Sequence, residues 1–237
     1  MERTPRLSKR KRQELLESFA AGIRATDLRR KYRNKKSKIS YNTICAYYTF
    51  FRECIFAYLR KAPRLDGEVE IDETLFGGRA RKKRLDKDPD YYLTQGFRNK
   101  KKKKYKNPKI LVIGILKRGG DVYTHIVPDR REETLTPVIR MVVEQGAIIY
   151  TDEWSSYSKL ALDGYKHIKI NHSKKFVKRK GEHVNTLERF WQFAKDQIRP
   201  YKGGFRHNFP LHLKEAEFRW NVGEENVLKK LKKLVKI

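Results

Sequence analysis

The chain has 237 residues, with 57 Lys and Arg against 28 Asp and Glu, for a formal charge of +29. That length gives room for one ordinary domain plus a small appendage, and so large a basic excess points to a polyanionic partner, because phosphates neutralised by Lys and Arg release counterions. The longest apolar run, ILVIGIL at 110–116, is far short of the ~18–20 residues of a membrane span, and the N-terminal MERTPRLSKRKRQ lacks the apolar core of a signal peptide.

Residues 8–61 read as three helices. SKRKRQELLESFAAG sets Leu15, Leu16, Phe19 and Ile23 at helical spacing and stops near Gly22. ATDLRRKY offers Thr26 as a cap, with Leu28 and Tyr32 as a short apolar face. SYNTICAYYTFFRECIFAYL starts at Ser40, a good cap, and aligns Ile44, Tyr48, Phe51, Ile55 and Leu59 along one side. Cys45 and Cys54 lie on this helix without CxxC spacing and read as buried, reduced thiols, which excludes a zinc ribbon and a disulfide framework. Three helices with a middle turn suit a helix-turn-helix, whose second helix enters the major groove; a plain helical bundle is the bland alternative. In the first reading Tyr41, Asn42, Thr43 and Ala46 face DNA. Residues 1–64 carry 18 Lys and Arg against 5 acids, which favours it. We expect a DNA-binding domain at 1–62 and a second domain at 63–237.

After Pro63 the pattern changes. GEVEIDETLF alternates, with Val69 and Ile71 on one side and Glu68, Glu70 and Asp72 on the other. Residues 77–109 form a charged loop with 14 Lys and Arg against 3 Asp, including Lys100, Lys101, Lys102, Lys103 and Lys104. This loop reads as a phosphate clamp or as a merely solvated segment. KILVIGILKRGGDVYTHIVP is a hairpin turning at Gly119 and Gly120. EETLTPVIRMVVEQG is a helix closed by Gly146. AIIYTDEW is a fully apolar strand that runs into Asp152, HIKI is a last strand, and HVNTLERFWQFAKDQI is a helix. Three meandering strands followed by helical crossovers give an α/β fold, a mixed sheet of the ribonuclease H type with flanking helices, preceded by the small all-helical domain.

In that topology Asp72 and Asp152 end neighbouring strands. The helix at 184–198 repeats Val184, Leu187, Trp191, Ala194 and Ile198 as an apolar stripe, and Glu188 borders it. Alone, Asp152 could cap a helix and Glu188 could serve a helix dipole. Together, Asp72, Asp152 and Glu188 would repel one another unless they bound divalent cations, and hard oxygen ligands suit two Mg2+ or Mn2+ ions. Lys195 and Arg199, on the same flank of that helix, can reach phosphates.

The blocks EVEIDETLFGG, VIGILKR, YTDEWSSY, INHSKKF, HVNTLERFWQFAK and LKEAEFRWN resemble, in order, those of the ISXO-like DDE transposases of small bacterial insertion sequences, to which eukaryotic Merlin elements are related. The resemblance runs from about residue 66 to 222 and includes a helical N-terminal segment. The 35 residues between Asp152 and Glu188 match the spacing of many transposases. It implies a ribonuclease H-like fold, a catalytic triad of Asp72, Asp152 and Glu188, Mg2+ dependence, and cut-and-join chemistry at terminal inverted repeats. This chain lacks the N-terminal zinc ribbon of many relatives, and its lysine-rich loop is unusually long. Some relatives replace the third acid with Asn or His, which keeps Asn185 and His183 in view as accessory residues.

The sequence thus leads us to expect a transposase that cleaves and joins double-stranded DNA, both terminal repeats and target, as a homodimer or larger assembly on DNA. It would work in the cytoplasm or nucleoid of a bacterium, or in a eukaryotic nucleus, without a membrane. An inactive, domesticated regulator and a ribonuclease H or resolvase-type nuclease are the rivals. Glu188, rather than Asn185 or Glu182, is expected to complete the site, with Asn185 as helix cap. His172 reads as a DNA contact or a hydrogen-bonded turn residue, and Glu73, Glu153 and Glu182 as local charge. Trp154, Tyr157 and Trp191 read as core. Arg219 to Asn221 closes a helix without an assigned role, and the basic tail VLKKLKKLVKI packs on the domain or touches DNA.

Overall fold

A computed structural model describes residues 7–32, 39–77, 109–152, 164–170, 185–201 and 208–235. The helices are α1 (Lys9–Ala20), α2 (Ala25–Tyr32), α3 (Tyr41–Tyr58), α4 (Glu132–Val142), α5 (Asn185–Ile198), α6 (Phe209–Val222) and α7 (Glu224–Val235). The strands are β1 (Glu68–Phe76), β2 (Ile110–Lys117), β3 (Val122–Val127), β4 (Ile148–Asp152) and β5 (Lys166–Ile170). The chain divides into two compact units, Met1–Lys61 with Pro210–Ile237, and Ala62–Phe209. The first break lies one residue from the expected boundary. The C-terminal helices, expected with the sheet, group instead with α1–α3. The reason is burial: Phe218, Val227, Leu231 and Val235 join Leu15, Leu16, Phe19, Ile44, Phe51 and Ile55 in one apolar cluster.

In this helical unit, the Ser8 and Ser40 hydroxyls accept the amides of Lys11 and Thr43 at the starts of α1 and α3. Thr26 is not a cap. Helix α2 begins one residue earlier, where the Arg24 carbonyl accepts the Leu28 amide at 2.9 Å and the Arg24 guanidinium binds Asp27 at 2.6 Å. Ile23 falls beyond the end of α1 and is 37% exposed. Cys45 and Cys54 are free thiols, half-buried rather than buried. A buried ionic cluster ties three helices together. Glu215 on α6 accepts from Arg52 on α3 at 2.6 Å and from Arg219 at 3.0 Å. Arg219 also donates to the Phe19 and Ala20 carbonyls at the end of α1. That gives Arg219 a structural role the sequence did not reveal.

The other unit is a five-stranded sheet of order β3-β2-β1-β4-β5. Strands β1, β2 and β3 pair antiparallel, whereas β1, β4 and β5 pair parallel. This mixed sheet with flanking helices is consistent with a ribonuclease H-like fold. The hairpin turns at Gly119, whose φ of +70° suits glycine, with the Gly120 amide bonded to the Lys117 carbonyl. Helix α4 stops at Val142 rather than near Gly146, because Val143 turns extended and bridges to Leu65. One face of the sheet packs Val69, Ile71, Ile113, Ile115 and Ile149 against Leu135, Ile139 and Val142. The opposite face, which carries Glu68, Glu70 and Asp72, is covered too: Glu70 is only 1% exposed. The cover is α5.

Candidate functional site

In the parallel ladder, Glu70 pairs with Tyr150 and Ile71 with Thr151. One step further along each strand, Asp72 therefore stands beside Asp152. Side chains alternate along a strand, so Glu70, Asp72, Tyr150 and Asp152 share the face opposite the α4 core. Helix α5 lies over that face, with Leu187 and Trp191 buried and Glu188 exposed in its first turn.

Trp191 does more than fill the core. Its indole Nε1–H donates to Asp72 Oδ2 at 3.0 Å. Gly114, opposite Asp72 on β2, supplies the floor for the ring: a Cβ at Gly114 would meet Trp191 at 2.5 Å. Burial pushes the Asp72 carboxyl above the usual carboxylate range, and the charges of Asp152 and Glu188 push the same way. The indole and the Glu73 amide pull it down. Asp72 thus feels both other acids of the expected triad, and its hydrogen-bond donors among the described residues are neutral. Among the described residues, no three His, Cys, Asp or Glu side chains converge tightly enough to form a ready metal cage. The three acids are electrostatic neighbours. Their donor chemistry nevertheless fits a hard divalent cation, since a half-buried carboxylate beside two others is relieved by positive charge.

Glu70 was read only as a polar strand residue. Its Oε2 accepts the Leu187 amide at 3.1 Å, and it also receives the amide of Thr186. Its Oε1 accepts Arg118 Nε at 3.1 Å. Arg118 is itself held, 3.7 Å over the Tyr150 ring and bonded to Glu68 at 2.9 Å. Burial keeps the Glu70 carboxyl above its ordinary range despite these partners. Asn185 opens α5. Glu70 thus takes two amides in the first turn of α5, the kind that an N-cap side chain normally satisfies. The one signal available was parity: Glu70 precedes Asp72 by two on the same strand.

Other expected residues are placed variously. Lys195 Nζ donates to Thr74 Oγ1 at 2.8 Å and lies 6.0 Å from the Phe76 ring, so it is engaged with β1. Arg199 is exposed and pairs with Asp196 at 2.7 Å. Glu73 faces away from the site and pairs with Arg130 at 3.5 Å. Tyr41 and Asn42 are exposed at the start of α3, while the Thr43 hydroxyl bonds Ser40 at 2.8 Å. On α7, Lys229, Lys232 and Lys233 are exposed while Val227, Leu231 and Val235 pack inward. Lys100 to Lys104, Glu153, Trp154, Tyr157, His172, Glu182 and His183 lie outside the described residues, as does the Asn185 side chain. Among the described residues, no helix is long and apolar enough to cross a membrane.

Comparison with known proteins agrees with the sheet unit. The profile of the ISXO2-like transposase domain matches residues 64–221. A curated protein of Haemophilus influenzae, described as an uncharacterized transposase-like protein, is 38% identical over 116 residues. The match covers 48% of this chain and 94% of that relative.

Proposed function

From the premise that the chain belongs to the ISXO2-like transposase family, we propose that it cuts DNA at terminal inverted repeats and joins the freed ends to target DNA. Asp72, Asp152 and Glu188 are the residues that would hold the divalent cations, Mg2+ or Mn2+. When bound there, such ions neutralise phosphate charge and favour attack by an oxygen nucleophile in line with the leaving oxygen. The supporting observation is the register of β1 and β4, which sets Asp72 beside Asp152 beneath the helix whose first turn carries Glu188.

The chain's own contribution is to prepare the carboxylates. Trp191 holds one Asp72 oxygen, and the partial burial of that carboxyl strengthens every charge interaction it makes. Hydrolysis at the element end leaves a 3′-hydroxyl, which then attacks a target phosphodiester in a second in-line transfer. In the helical unit, Tyr41, Asn42 and Thr43 at the start of α3 are the candidates for reading the repeat, as in a helix-turn-helix. Lys100 to Lys104 would clamp phosphates without reading sequence, and pairing of two ends calls for at least a homodimer on DNA.

The test is Mg2+-dependent nicking of a duplex that carries the element's own terminal repeat. Glu188→Gln should bind that duplex normally and cut it at least about 10³-fold more slowly, the scale of losing a member of a catalytic unit. Undiminished cutting would remove Glu188 from the site.

A further inference from the structure

We infer that Glu70 is a positioning residue: its buried carboxylate pins the amino end of α5 and so aims Glu188 at the two aspartates. In this role it presupposes the three-carboxylate site proposed above. Of the bonds that join α5 to β1, two bracket Glu188. One runs from the Leu187 amide to Glu70 at 3.1 Å, the other from the Trp191 indole to Asp72 at 3.0 Å. The acceptors lie two residues apart on one strand, about 7 Å, and the donors just over one helical turn apart, about 6 Å along the axis. A helix held at both points can neither slide nor spin. A slip of one residue would swing Glu188 by about 100° around the axis.

The chemistry at the first point suits a carboxylate. The amino end of a helix carries partial positive charge and amides without intrahelical partners, so an anion is favoured there. Burying that anion costs free energy unless it is paired. Arg118 pairs with it, and Arg118 is fixed in turn by Glu68 and by the Tyr150 ring. Glu70 is therefore held on both oxygens. Although it shares a face of the sheet with Asp72 and Asp152, it does not join Asp72, Asp152 and Glu188 as a ligand, since its oxygens are spent on α5 and Arg118.

The experiment measures Mn2+ affinity of the full chain by calorimetry, together with Tm. Support for a ligand normally changes metal affinity by about 10- to 100-fold. Glu70→Ala should weaken Mn2+ binding on that scale at temperatures where it remains folded. Glu70→Gln keeps an acceptor oxygen for the Leu187 amide and should recover most of the affinity. Glu215→Gln, in the helical unit, should lower Tm yet bind Mn2+ like the wild type. If Glu70→Ala loses Tm but keeps wild-type Mn2+ affinity, Glu70 only stabilises the fold and the inference is wrong. Should Glu70→Ala not fold, Glu70→Asp decides: shortened by one methylene, it supports the inference if Mn2+ binding weakens at near-native Tm and overturns it if binding is unchanged. Asp72→Asn, run in parallel, separates the two levels. Wild-type Mn2+ binding in that variant would instead remove the carboxylate site on which the positioning role depends.

Discussion

Each unit buries carboxylates, and the two treat them in opposite ways. In the helical unit, burial alone would raise the Glu215 carboxyl, but Arg52, Arg219 and His212 outweigh it and hold it below its ordinary range. In the sheet unit, burial raises the Asp72 carboxyl and its charged neighbours, Asp152 and Glu188, raise it further. An indole and a backbone amide are what oppose them. The first arrangement is electrically closed and stitches helices together. The second carries surplus negative charge in one place. A buried acid therefore reports on function through the sign of its neighbours, not through burial itself.

The contrast can be tested most strongly at Glu215. Glu215→Ala removes the carboxylate shared by two buried guanidinium groups and should cost about 3–5 kcal/mol in urea unfolding. Asp72→Asn, which relieves repulsion, should leave stability unchanged or slightly raised. If the two variants lost equal stability, the distinction between a closed and an open charge cluster would fail.

Acidification should sharpen it. Burial, followed by Arg52, lowers His212 from its usual 6.5 to about 4, while Glu215 pulls the other way. Between those values the unfolded chain takes up a proton that the folded chain refuses, so stability falls as pH drops through the window. The loss should approach about 3 kcal/mol near pH 4, from 1.36 kcal/mol per pK unit, and melts between pH 7 and 4 would record it. His212→Gln should flatten the dependence over this range. A wild-type curve already flat there would show that the histidine is not held neutral.

The smallest effect is expected at the floor of the site. Gly114→Ala brings a methyl group to 2.5 Å from Trp191 and should cost about 1–3 kcal/mol by overpacking. Because the ring carries the bond to Asp72, the intrinsic fluorescence should shift along with the lost stability. Wild-type stability and an unchanged spectrum would mean that the indole can move without consequence.

Short-range chemistry made much of this architecture legible in the sequence. Ser40 announces α3 because a hydroxyl three residues before a free amide can bond it, and Gly119 marks the hairpin because its φ is positive. The strand order followed from apolar runs and turn residues, and Asp152 stood out as an acid at the end of an apolar strand, whereas Asp72, expected to end its strand, lies at the middle of β1, which pairs with β2 as far as Phe76. Local signals misled where a distant partner intervened. Thr26 lost the cap locally, because α2 starts from the Arg24 carbonyl, whereas α4 ended early because Val143 pairs with Leu65. Glu70 was only a polar residue of an alternating strand, Trp191 read as core and Arg219 had no role. Each depends on contacts across the chain: Glu70 meets α5 117 residues later, Trp191 reaches back 119 residues to Asp72, and Arg52 meets Glu215 across 163. The grouping of α6 and α7 with α1–α3 is of the same kind. Periodicity and capping tell which face of an element is apolar and where it starts. Only the folded chain decides which distant element covers that face, and with it whether a buried charge meets an opposite charge or another of its own sign.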